Sequence, residues 1–331
     1  MSCAADRSLA TPIAVLGAGS WGTALAALFA RSGKPTRLWG RDTARMTALA
    51  ATGGFPAALA AGTDLAETLR GALDVLIAVP SDAFRTVLLQ IEPLLTPEMR
   101  LAWATKGFEP QTGRLPHQVA REVLGERAFA VLSGPTFARE VDAGLPTAMT
   151  IASPDAAFAA ALARDLSSAS FRAYTSTDIV GVEVGGAVKN VLAIGAGLSD
   201  GLGFGANTRV ALIARGLLEM TRLGVALGAR RETFMGLAGL GDLVLTSTDD
   251  QSRNRRLGLL IATGRTVEQA RAEIGQVVEG VLAAKAVHGV AAREGVEMPI
   301  CDAVYRVLYE AVPARDAVRG LMARPLKPEL D

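Results

Sequence analysis

Aromatic residues make up only 5% of this 331-residue chain, and cysteine and histidine occur twice each. Two cysteines, Cys3 and Cys301, are too few for a zinc cluster or a disulfide framework, and they fit a reducing compartment. With His117 and His288 as the only histidines, a His-rich metal site is not expected. Charge of either sign in excess is also lacking: 34 Lys+Arg against 33 Asp+Glu leaves a formal net charge of +1. That balance gives no basic face of the kind that holds nucleic acid. The chain carries no low-complexity linker, no charge block and no internal repeat.

What is present is a globular composition. Half the residues are hydrophobic and a fifth are charged, enough apolar surface for substantial cores. At roughly 150 residues per domain, the length suggests two domains. Ser8–Ala30 is free of charge and long enough for a membrane span, but Pro12 and three glycines interrupt it, and Ile13-Ala14-Val15-Leu16 is too short for a signal core. A strand, a glycine turn and a helix explain it better. The chain therefore reads as cytoplasmic, without a membrane span.

The first half alternates short apolar runs with helical patterns. Strands are expected at Ile13–Leu16, Thr36–Trp39, Val75–Val79, Leu101–Ala104, Phe129–Leu132 and Met149–Ile151, and helices at Ala24–Arg31 and Ala44–Ala51 among others. Continuous, unalternating runs suit parallel strands covered on both faces. Beyond Val180 the spacing becomes helical, as in Val182–Leu198, Arg209–Leu227 and Val281–Arg293. The boundary is expected near Asp178–Lys189.

Gly17-Ala18-Gly19-Ser20-Trp21-Gly22 directly follows the first strand and opens an Ala/Leu-rich helix. In this context G-x-G-x-x-G is the dinucleotide fingerprint. Gly17 serves the tight turn, Gly19 lets the backbone approach a pyrophosphate, and Gly22 lets helix pack on strand. The helix N-terminus adds N–H groups and partial positive charge for the phosphates. The bland reading is an ordinary glycine turn. The second strand ends in Gly40-Arg41-Asp42. Arg41 can pair with a 2′-phosphate, which favours NADPH with NADH tolerated. Asp42 is either a ribose-binding acid or the N-cap of the next helix.

Four further places carry chemistry. Lys106 follows a strand in Ala104-Thr105-Lys106-Gly107. Lys189 is the only charge in the long apolar stretch Gly185–Ile194; burial would lower its pKa, unless it is a lysine that snorkels to water. Asp242, in Gly239-Leu240-Gly241-Asp242-Leu243, either orients a lysine or caps a helix. Ser252-Arg253-Asn254 at the start of a helical run makes a one-phosphate anion site or a solvated basic turn.

Taken in order, Gly17–Gly22, Ala104–Gly107, Ser133-Gly134-Pro135-Thr136-Phe137-Ala138, Gly185–Asn190, Gly239–Leu243, Gln251–Arg256 and Gly275–Gly280 resemble the bacterial-type NAD(P)-dependent glycerol-3-phosphate dehydrogenases. The resemblance spans about residues 13–310. It implies an α/β, Rossmann-like, doubly wound, mostly parallel dinucleotide-binding domain over residues 1–184, then an all-helical substrate-binding and catalytic domain over 185–331. The implied reaction is the NAD(P)H-dependent interconversion of dihydroxyacetone phosphate and sn-glycerol 3-phosphate, which feeds phospholipid synthesis. Lys189 then corresponds to the acid/base residue, with Lys106 and Asp242 beside it. Ser20, Trp21, Arg41, Lys106, Ala138, Arg253, Val277 and Glu279 fall at cofactor positions. Lys106, Gly134, Thr136, Lys189, Asn190, Asp242, Thr246, Ser252, Arg253 and Asn254 fall at substrate positions. A homodimer is an expectation from the resemblance alone. Two other readings stand beside it: a 3-hydroxy-acid dehydrogenase whose substrate carboxylate Arg253 would bind, and a non-enzymatic NADPH-binding sensor, which would be expected to lack the lysine constellation.

Overall fold

The computed structural model describes residues 11–51, 55–326 and 328–329; Cys3 lies outside them. Two compact units emerge: the first runs to Thr105 and resumes over Pro116–Ile179, and the second comprises Lys106–Leu115 and the chain from Val180 on.

The first unit is built on an eight-stranded sheet. Its strands are β1 (Ile13–Leu16), β2 (Thr36–Trp39), β3 (Leu59–Gly62), β4 (Asp74–Ile77), β5 (Arg100–Trp103), β6 (Phe129–Ser133), β7 (Thr147–Ala152) and β8 (Phe171–Ser176). The strand order is β3-β2-β1-β4-β5-β6-β7-β8. All pairings are parallel except β6 with β7. The sequence reading is right for the central strands, β1, β4 and β6, which are buried along their whole length. It missed β3 and β8, the two edges. Leu-Ala-Ala-Gly has little strand propensity and is extended because it pairs with β2. The first helix, α1, spans Ser20–Arg31 and begins four residues earlier than its apolar periodicity announced. The charge-free stretch is thus strand, turn and helix over its described part.

The second unit is helical among its described residues. It contains α2 (Ile179–Gly201, its first residue counted with the sheet unit), α3 (Ala206–Ala226), a π-helical turn at Leu237–Gly241, α4 (Asp242–Thr248), α5 (Arg253–Ala262), α6 (Val267–Ile274), α7 (Glu279–Glu294), α8 (Pro299–Tyr309) and α9 (Ala314–Met322). Helix α2 is long and apolar enough to cross a membrane, yet 94% of its most apolar window is buried. That is the profile of a central core helix. Phe108 and Leu115 share the core formed by Val184, Val188, Leu192, Phe234 and Leu257, so the Lys106–Leu115 segment belongs with these helices.

Candidate active site

The glycine fingerprint sits at the carboxyl end of β1, whose neighbours are β2 on one side and β4 on the other. This is the point where the strand order reverses, the usual crevice for a nucleotide. Gly17 has φ +118°, and a Cβ there would lie 2.6 Å from the Ala78 carbonyl oxygen. A Cβ on Gly22 would lie 1.9 Å from the Gly17 carbonyl oxygen, so α1 closes on the turn only because residue 22 is glycine. At Gly19 a Cβ would meet nothing within 4 Å. Its missing side chain therefore serves something other than internal packing. Gly19 is also the N-cap of α1 and offers no side-chain cap to the first-turn N–H groups. Next to it, the Trp21 indole N–H is buried without a hydrogen-bond partner. A cradle of bare N–H groups with an orphaned donor fits a dinucleotide pyrophosphate.

Beyond β2, Arg41 is exposed, and Asp42 accepts the Arg45 backbone N–H at 3.0 Å. The Asp42 carboxylate thus caps the following helix, Thr43–Ala51. Elsewhere in this unit, Gly134 follows β6 with φ +153°, and Thr136 donates to its carbonyl at 3.2 Å. Ala138 opens the short helix Ala138–Asp142.

The helical unit brings together four of the polar residues singled out above. The Lys189 ammonium donates to Asp242 Oδ1 at 2.5 Å and to Thr246 Oγ1 at 2.9 Å. Lys106 donates to Asp242 Oδ2 at 2.6 Å. Thr246 completes the ring by donating to Asp242 Oδ1 at 3.2 Å. One carboxylate is thereby shared between two ammonium groups. Asp242 opens α4, where the helix dipole also favours an anion.

The reason these groups meet is a close approach of backbone. A Cβ on Gly185 would lie 2.4 Å from the Ala238 carbonyl oxygen. Glycine at 185 therefore lets the π-turn lie against α2. Lys189 is four residues beyond Gly185 on α2, and Asp242 is four residues beyond Ala238. The same device recurs at Gly197, where a Cβ would lie 2.0 Å from the Arg255 carbonyl oxygen of α5.

Burial controls the electrostatics. Lys189 is only 7% exposed, and desolvation lowers its pKa from 10.5 to about 8. Asp242 opposes the shift, and Lys106 adds to it. Burial would raise the pKa of Asp242, but Lys106 and Lys189 together hold its carboxyl below the ordinary range. Lys189 is thus brought closer to neutrality than an ordinary lysine.

Around this centre, Asn254 donates to Asn190 Oδ1 at 2.8 Å and accepts the Gly280 N–H at 2.9 Å. The pair ties α2, α5 and the start of α7 together. Ser252 caps α5 by accepting the Arg255 N–H at 3.2 Å. Arg253 is exposed, whereas Arg255 is buried and bonded to Asp200 and Asp250. The basic run therefore divides, with one arginine facing solvent and one locked in an ion cluster. That second role was not read from the sequence; the distant Asp200 that defines it is not a neighbour in the chain. Glu279 opens α7, half-buried, and favours the charged form of Lys189, while Val277 is exposed just before it.

Comparison with known proteins decides what this arrangement belongs to. Residues 12–159 match the model of the NAD-dependent glycerol-3-phosphate dehydrogenase N-terminus, and residues 178–319 match that of its C-terminus. The chain belongs to this dehydrogenase family. It is 57% identical to a glycerol-3-phosphate dehydrogenase [NAD(P)+] of Methylococcus capsulatus over 96% of this chain and 98% of the relative. It is 56% identical to the Aeromonas hydrophila protein of the same description, over 96% and 98%. The crystal structure of glycerol-3-phosphate dehydrogenase from Coxiella burnetii superposes with a TM-score of 0.93 at 46% identity, covering 96% of this chain and all of the other. In this family member, the sheet unit is the Rossmann-like part expected from the sequence, and the helical unit carries the lysine pair.

Proposed function

We propose that the chain reduces dihydroxyacetone phosphate to sn-glycerol 3-phosphate, reversibly, with NAD(P)H, and so supplies the glycerophospholipid backbone. The observation that carries the reading is the Lys106–Asp242–Lys189 bridge, buried within a family match that runs nearly the full length. That match favours this reaction over a 3-hydroxy-acid dehydrogenase or a non-enzymatic sensor. The first unit, expected over residues 1–184, holds the dinucleotide on Gly17, Gly19, Gly22, Ser20 and Trp21. The second, expected over 185–331, acts on the substrate. When bound, the reduced nicotinamide supplies the hydride.

The protein supplies charge and the proton. Reduction puts negative charge on the ketone oxygen, and the Lys189 ammonium stabilises it and delivers a proton. In the oxidation direction the neutral amine takes the proton back, which a pKa of about 8 permits. Asp242 and Thr246 fix the direction of the ammonium, and Lys106 contacts the same substrate. Arg253, with the N-terminal turn of α5 that Ser252 organises, grips the phosphate, with Asn190 and Asn254 alongside. Gly134 and Thr136 contribute the substrate loop, and Ala138, Val277 and Glu279 contact the cofactor. Phosphate binding remote from the reacting carbon holds the ketone in place. Arg41 reads a 2′-phosphate, which gives NADPH the advantage over NADH. Cytoplasmic residence and a homodimer complete the proposal; sedimentation velocity tests the latter.

The test is NADPH oxidation with dihydroxyacetone phosphate, repeated with NADH and with Lys189→Met. The variant keeps an apolar stem without the ammonium. Turnover falls by at least about a hundredfold, the scale of general acid/base groups, with cofactor affinity little changed. Near-normal turnover would leave Lys189 as a structural lysine.

A further inference from the structure

Apart from the lysine pair, the helical unit contains a cavity of about 430 Å3. Leu198, Leu212, Ile300, Val304, Val307 and Leu321 give it an apolar wall. A space of this size and lining is in the range that binds small molecules. Its polar lining comes from Ser199, Thr208, Arg215, Glu219, Arg222, Glu297 and Arg324. Arg215, Glu219 and Arg222 all line it from α3, spaced at helical intervals along one face. Ser199 lines it from α2, is 3% exposed, and its hydroxyl has no hydrogen-bond partner. A buried orphan hydroxyl costs free energy that a ligand oxygen would recover.

Glu219 is accounted for differently. Its carboxyl accepts the Ile300 N–H at 2.7 Å and the Cys301 N–H at 3.1 Å, closing the first turn of α8. Burial pushes its pKa up to about 7, so part of the population is neutral at physiological pH and does not repel an anion. Arg324, also on the lining, is paired with Glu297 at 3.0 Å, and Arg215 donates to the Glu329 carbonyl.

We propose that this cavity binds a single-chain anionic amphiphile of the fatty-acid class, its alkyl chain against α8 and α9 and its head among Ser199, Arg215 and Arg222. The apolar wall calls for a chain, the orphan hydroxyl calls for an oxygen, and the α3 arginines call for negative charge. None of these residues belongs to the proposed reaction site, so the two readings stand or fall separately.

The experiment is calorimetric titration of the full chain with decanoate below its micellar range, with decanol as the uncharged control. Saturable one-to-one binding of decanoate is expected, tighter than decanol. Arg222→Ala should weaken decanoate by about tenfold or more, as expected for a lost charge-assisted bond, and leave decanol within a few-fold. Ala303→Trp and, at the rim, Leu321→Trp should fill the cavity and abolish binding of both. An unchanged far-ultraviolet circular-dichroism spectrum and a cooperative thermal transition show that each variant is folded. Absence of saturable binding to the parent protein, or undiminished binding to both folded tryptophan variants, overturns the proposal.

Discussion

Asp242→Asn isolates the electrostatic core of the site. The substitution keeps the side chain's size and removes the one negative charge that Lys106 and Lys189 share at 2.6 and 2.5 Å. An opposite charge at this range moves a pKa by about 1–3 units. Without it, burial and Lys106 both push the Lys189 pKa further down from its value of about 8. The sign is fixed by the chemistry. Reduction needs the ammonium, so its rate is lost as pH rises through the Lys189 pKa; oxidation needs the amine, so its rate is gained there. A fall of about two units takes Lys189 at neutral pH from mostly protonated to about one-tenth protonated. Reduction at pH 7 should therefore drop at least about tenfold from protonation alone, with more lost through misdirection of the ammonium. The assay is initial rates in both directions from about pH 6 to about pH 10, with both inflections expected to move toward acid in the variant. An inflection that stays at about 8 in Asp242→Asn would refute the claim that Asp242 sets the protonation of Lys189.

Arg253→Ala should raise the KM for dihydroxyacetone phosphate by roughly ten- to a hundredfold, the worth of a lost charge-assisted bond of about 1.5–3 kcal/mol. The advantage over unphosphorylated dihydroxyacetone should shrink with it, and an unchanged advantage would place the phosphate elsewhere. Arg41→Ala should weaken NADPH use by about tenfold or more and leave NADH within a few-fold, because NADH has no phosphate there for a guanidinium to meet; equal losses for both cofactors would end the 2′-phosphate assignment. In the sheet unit, Lys34 is 2% exposed and bonds to Asp165, with Asp74 at 3.7 Å. Lys34→Met removes the ammonium beside buried Asp165 and should destabilise by about 3–5 kcal/mol, read from urea denaturation; a loss below about 1 kcal/mol would mean that water or another cation replaces it.

The sequence by itself determined the fold class and the fingerprint, and it named the groups proposed here to react. Gly17, Gly19 and Gly22 are legible because their spacing answers to local geometry, a turn and a helix start within six residues. Buried central strands are legible because they are continuous apolar runs. Ser252 as a cap and Lys189 as a lone charge in an apolar helix are equally local. Tertiary structure alone decided what depends on partners far along the chain. β3 is a strand because β2 pairs with it, not because its residues favour extension. Lys106–Leu115 joins the helical unit because Phe108 and Leu115 are buried in its core, which nothing in the alternation of strands and helices announces. Asp242 was a cap or a lysine partner on paper; Gly185, by admitting the Ala238 carbonyl against α2, makes it the shared counter-ion. The value of about 8 at Lys189 is likewise tertiary, since it balances the water removed by packing against charges contributed by Lys106 and Asp242 from distant parts of the chain.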